Sequence, residues 1–118
     1  MFKLCVSNIG WKTEDDSRVY GIMKDLGYEG LEIAPTRIYP ERPYDRCSDA
    51  AKWSEDLLGN YGLRVASMQS ILYGRQEKLF NSIQERKVLT DYTKKAIEFA
   101  EAVGCNNLVF GCPRNRVI

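Results

Sequence analysis

The sequence predicts an α/β fold of alternating strands and helices with the strands parallel, and three observations carry that reading. The stretch Ala102 to Arg116, AVGCNNLVFGCPRNR, reads as a helix end, a Gly104 stop, a polar joint and an apolar run at Leu108 to Phe110. A Gly111 break and a loop bearing Arg114 and Arg116 follow. The same phrase recurs more loosely as LGYEGLEIAP at Leu26 to Pro35 and as YGLRVASMQS at Tyr61 to Ser70. A helix closed by a left-handed glycine and then a buried strand is the αβ half of a βαβ unit. The stopping glycines Gly27, Gly62 and Gly104 lie 35 and then 42 residues apart, too uneven for a solenoid with a fixed period.

In chain order, Lys3 to Ser7 is the first strand candidate, with Leu4 and Val6 alternating against Lys3 and Cys5. Thr13 or Asp15 is placed to cap a helix whose stripe is Val19, Ile22, Met23 and Leu26. Gly30 to Ala34 is the second strand, ended by Pro35, and Thr36 to Arg46 an extended loop. Ser48 caps a second helix with Ala50, Trp53, Leu57 and Tyr61 on one face. Val65, Ser67, Gln69 and Ile71 run through the third strand and its exit. Ser82 with Glu85 forms a capping-box pattern before the strongest stripe: Val88, Leu89, Tyr92, Ala96, Phe99, Ala100 and Val103. Leu108 to Phe110 is the fourth strand.

With 118 residues the chain has the length of one domain, 1–118, and its 44% hydrophobic and 28% charged residues set it apart from disordered sequences. A net charge of +1 without a Lys/Arg cluster argues against nucleic acid as partner. The apolar runs are too short to span a bilayer, so no membrane association is expected. Met1 leads into FKLCV, too short for a signal peptide, and a cytoplasmic location is the expectation. The four cysteines show no CxxC spacing and are read as reduced thiols. Histidine is absent, which excludes a histidine base or a His-rich metal site built by this chain alone.

Laid out as four strands and three helices, the chain resembles the opening half of a (β/α)8 TIM barrel. It is similar to the sugar (phosphate) isomerase/epimerase family with the xylose isomerase-like barrel. The residues carrying the resemblance are Gly27 to Ile33 (GYEGLEI), Ser67 to Ser70 (SMQS) and Leu108 to Arg116 (LVFGCPRNR). The resemblance implies a truncated N-terminal half barrel, since such barrels run to about 250 residues. It implies carbohydrate metabolism: a sugar or sugar phosphate as ligand and a metal-assisted proton shift beside a carbonyl, with Mn, Mg, Co or Zn in a full-length relative. The family's catalytic carboxylates come mostly from later strands, so this chain would supply one wall of such a site and hold no metal alone. The alternative is a non-catalytic half-barrel remnant or subunit that self-assembles or binds a small polyol. Open strand edges predict a homo-oligomer. The related abasic-site endonuclease barrel requires a histidine-bearing zinc cluster and a basic face, neither of which is present.

Candidate substrate-binding residues follow from strand ends, where α/β folds gather their ligand groups. Glu32 sits in an apolar strand phrase and is read either as a contact to a substrate hydroxyl or as an ion-pair partner of Arg37 or Arg64. Gln69 is its counterpart on strand three, a lining amide or one bonded to backbone. Asn8 and Trp11 follow strand one: a ligand contact or a turn residue, a sugar-stacking ring or a loop anchor. Arg114 and Arg116 have the planar forks that suit phosphate or carboxylate, and are otherwise solvated. Cys112 beside them is either an activated thiol or a filler.

Overall fold

The structure is a computed structural model describing residues 3–118; the Met1-Phe2 opening of the leader reading lies outside them. Its centre is a parallel sheet of β1 (Cys5–Ser7), β2 (Gly30–Ile33) and β3 (Arg64–Met68) in the order β1-β2-β3. The helices are α1 (Asp16–Asp25), α2 (Pro35–Ile38), α3 (Cys47–Tyr61) and α4 (Ile83–Ala102). Parallel pairing of the first three strands agrees with the alternating pattern. The expectation of four strands and three helices forming a half barrel does not hold. Among the described residues there are three strands and four α-helices.

Two local causes account for the difference. The run at Leu108 meets the sheet through one parallel bridge, Met68 to Leu108, with Met68 N–H donating to Asn107 and Val109 N–H to Met68. Gly111 and a left-handed Cys112, at φ 32°, then turn the chain away, leaving Val109 and Phe110 more than 40% exposed. The extra helix begins at Pro35, because proline lacks the N–H that a first helical turn leaves unused and its ring presets φ. What the sequence suggests is an extended loop after Pro35 therefore opens with a helical turn.

Helix ends follow their residues in part. Gly27, Gly62 and Gly104 all take positive φ, as the stopping role requires. Ser82 Oγ accepts from Glu85 N–H at 3.1 Å, but the Glu85 carboxylate turns to the Lys78 N–H and leaves the capping box half made. Neither Thr13 nor Asp15 caps α1 through a side chain: Thr13 opens a 3-10 turn and Asp15 binds Arg18 instead. Ser48 lies inside α3, which starts one residue earlier.

The core lies on one side of the sheet. Leu31, Ile33, Val65 and Met68 pack with Tyr20 and Met23 of α1, Ala50 and Leu57 of α3, and Leu89, Ala96, Phe99 and Ala100 of α4. In α3 and α4 the predicted stripes face the core: Ala50, Leu57, Leu89, Ala96, Phe99, Ala100 and Val103 are buried, Trp53, Tyr61 and Tyr92 half-buried, and Val88 exposed. In α1 the buried face is Tyr20 and Met23, while Ile22 and Leu26 stand 47% and 65% exposed. The sheet's other face, carrying Cys5, Ser7, Glu32 and Gln69, stays partly open. The radius of gyration, 15.2 Å, accordingly exceeds the value of about 13.5 Å for a compact chain of this length.

Candidate functional site

The open face is built in rows by strand register. Cys5 pairs with Gly30, and Ser7 with Glu32, so Ser7 and Glu32 stand side by side while Cys5 lies beside a bare backbone position. A Cβ on Gly30 would run into Cys5 Sγ and meet Ala66 Cβ at 3.0 Å, which explains the glycine and closes the lower row. A register shift between Leu31 and Glu32 sets Glu32 against Ser67 and re-aims the last residues of β3. Ser67 Oγ in turn accepts from Asn107 Nδ2 at 2.9 Å.

The upper row is a polar trio. Gln69 is fixed first by its backbone, whose N–H donates to Ile33 at 2.9 Å. Its side-chain Nε2 then donates to Ser7 Oγ at 2.8 Å and to Glu32 Oε1 at 2.6 Å. One amide therefore spends both protons across three strand ends. The second carboxylate oxygen of Glu32 and the amide oxygen of Gln69 have no hydrogen bond within the chain among the described residues. Neither arginine expected as an ion-pair partner binds Glu32: Arg37 pairs with Asp16, and Arg64 enters no ion pair among the described residues.

Beside the trio opens a cleft of about 600 Å³, lined by Gln69, Ser70, Leu72, Arg75, Cys112 and Arg114 among others. Two loops form it, and Asn115 joins them. Buried at 4% exposure, Asn115 donates Nδ2 to the carbonyls of Arg75 and Glu77, and its own carbonyl accepts from Leu79 N–H at 2.7 Å. Lys78 Nζ adds a bond to the Arg114 carbonyl at 2.6 Å. Ser70 at φ 54° and Cys112 at φ 32° hold left-handed conformations that side chains disfavour, and both stand on the cleft wall. Strain of that kind persists where the surroundings impose it.

The charges in the cleft are unequal. Arg75 is neutralised by Glu77, whose carboxyl the guanidinium bond holds below its ordinary range, and it lies 5.2 Å from the Tyr92 ring centre. The guanidinium of Arg114 has no carboxylate partner among the described residues and is exposed. Arg116 donates Nε to the Gly111 carbonyl at 2.7 Å, which closes its own loop.

Asn8 and Trp11 sit apart from the trio. Asn8 is fully buried and accepts from Ala34 N–H at 3.3 Å, pinning the end of β1 to the end of β2; its Nδ2 has no hydrogen-bond partner among the described residues. Trp11 donates Nε1 to Asp16 at 2.8 Å, while its carbonyl accepts from Arg37 at 3.0 Å. Arg37 also grips Asp16 with both terminal nitrogens, at 2.7 and 3.1 Å. This knot buries Tyr20, whose phenol is pushed up to about 12 by burial and then by the Asp16 charge.

Of the expected residues the structure joins Glu32 to Gln69 and sets Arg114 with Gln69 on the cleft wall; it adds Ser7 to the trio and Ser70 and Asn115 to the cleft. Ser7 enters through register, as the residue paired with Glu32, which neither strand's own sequence encodes. Nothing in local sequence marks Ser70, because its left-handed turn is imposed from outside. Among the described residues no three His, Cys, Asp or Glu side chains converge on a cation position. Glu32, Gln69 and Ser7 offer one charged oxygen donor set where a divalent cation takes about six oxygens, so they do not fit a resident metal by themselves. No protein-family model matches the chain, and no curated protein matches it either. No helix among the described residues is long and apolar enough to cross a membrane.

Proposed function

We propose that the chain binds a small polyhydroxylated ligand, a sugar or sugar phosphate, against the strand-end trio, as one wall of an isomerase- or epimerase-like site. The observation carrying this reading is the Gln69 amide bridging Ser7 and Glu32 on a sheet face left open by the helices. The bridge aligns a carboxylate oxygen, an amide oxygen and a hydroxyl with unused hydrogen-bonding capacity in one row. Vicinal hydroxyls need this kind of fixed acceptor set, and fixing it beforehand lowers the entropy lost on binding. The adjoining cleft is large enough for a hexose, and Arg114 at its wall offers a planar fork to a phosphate or carboxylate end.

The chain's own residues bind and orient; they do not complete a proton shift. Moving a proton between adjacent carbons needs a base near one carbon and charge stabilisation at the oxygen. Glu32 is the one carboxylate in the trio, and one of its oxygens is already engaged by Gln69. The second reading, a polyol-binding subunit without turnover, is favoured by that single carboxylate.

Calorimetric titration with a panel of aldoses, ketoses and their phosphate esters tests the proposal. Saturable binding that Glu32→Ala abolishes supports it. Binding unchanged in Glu32→Ala, or absent across the panel, contradicts it. Turnover measured in parallel with added divalent metal separates the two readings.

A further inference from the structure

The structure assigns α1 a second role: its outward face is a two-fold docking surface for a second copy of this chain. The face consists of Arg18, Gly21, Ile22 and Asp25, spaced i, i+3, i+4 and i+7, so they form one stripe. It lies opposite the side that buries Tyr20 and Met23. Ile22 is 47% exposed, and Leu26, just past the helix end on the same flank, is 65% exposed. These are large apolar groups on a helix whose other side is fully used.

Gly21 is the telling residue. Glycine weakens a helix interior relative to alanine, so its presence there asks for a reason. Among the described residues the fold supplies none: a Cβ at position 21 would meet nothing within 4 Å. A bare spot on an outward face, next to an apolar knob, is what a second helix needs for close approach.

The charges choose the partner. Arg18 and Asp25 are placed symmetrically about the midpoint between Gly21 and Ile22. Two copies of α1 packed antiparallel about a two-fold axis therefore set Arg18 against Asp25 of the second copy, twice. The same operation seats Ile22 over Gly21 of the second copy, also twice. Self-complementarity under a two-fold is the mark of an isologous interface. Asp25 enters no ion pair among the described residues, and Arg18, its side chain 71% exposed, bonds Asp15 in a surface pair that readily exchanges. A contact confined to one face of a ten-residue helix predicts a weak, micromolar-range dimer rather than an obligate one.

Sedimentation equilibrium across micromolar to millimolar protein tests the assignment, independently of any ligand. The expected result is a reversible monomer–dimer equilibrium that I22D abolishes and that R18D or D25R each weaken about tenfold. The double charge swap R18D/D25R regains the lost affinity. G21A weakens the dimer while raising the melting temperature of the dilute monomer, which a defect in folding would not do. Circular dichroism verifies that each variant is folded. A monomer throughout the range, an assembly indifferent to I22D, or a double swap no better than the single variants would each overturn it.

Discussion

Gln69 Nε2 sits 2.6 Å from Glu32 Oε1 while also donating to Ser7 Oγ, so one side chain ties together strand ends 37 and 62 residues away in sequence. The bond to a charged acceptor sits in a half-exposed site, which places its worth at the lower end for such bonds. Gln69→Leu keeps the volume and removes both donors. The expected cost is about 1–2 kcal/mol in urea denaturation, together with loss of polyol binding. Full stability with binding intact would separate the trio from both fold and function.

Asn115 predicts a larger effect. It is buried and satisfies two loop carbonyls at once, so Asn115→Ala leaves both without their partner. A loss of about 2–3 kcal/mol is expected. Hydrogen exchange localises it: the Leu79 amide, which donates to the Asn115 carbonyl, should lose protection while core amides of α4 keep theirs.

Gly30 is required by space. Gly30→Ala forces its methyl into Cys5 Sγ and tight against Ala66 Cβ, and overpacking of this sort costs about 1–3 kcal/mol. Cys5→Ala removes the first obstacle and leaves the second. The double variant should therefore recover part of the loss, and a double-mutant cycle by thermal denaturation measures the coupling.

Alkaline pH should unfold the protein through its buried phenols. Tyr20 is raised from 10.0 to about 12 by burial and the nearby Asp16 charge, and Tyr44 is raised further by burial. A raised phenol holds its proton more tightly in the fold than in the unfolded chain. Its contribution is therefore complete below pH 10.0 and is lost as pH rises toward about 12. Asp16→Asn removes one cause, so phenolate absorbance should show Tyr20 titrating at lower pH than in the wild type. An unchanged titration would rule out the Asp16 charge as a cause.

The sheet was legible because glycine stops separate helical from strand periodicity: β2 follows Gly27 and β3 follows Gly62, while β1 shows only the alternation of its own residues. The fourth strand was not: Leu108 to Phe110 has the composition of a strand, but a strand exists by its pairing, and Cys112 turns the chain off after one bridge. The α1 stripe misled for a related reason. Val19, Ile22, Met23 and Leu26 share one helical flank, yet the sheet lies nearer Tyr20, whose packing with Trp11 and Tyr61 decides the rotation. In the site, Glu32 and Gln69 stood out as polar residues in apolar phrases. Their mutual bond, and the part Ser7 takes in it, depend on register, which no single segment encodes.

The most direct test follows the Gln69 side-chain amide by NMR during titration with an aldose or ketose. Saturable shifts of both amide protons, together with neighbouring strand-end backbone signals at Ser7 and Glu32, are the predicted result, and they vanish in Glu32→Ala. Shifts confined to other surfaces, or an amide that ignores every sugar offered, would contradict the claim that the trio is a hydroxyl-binding wall.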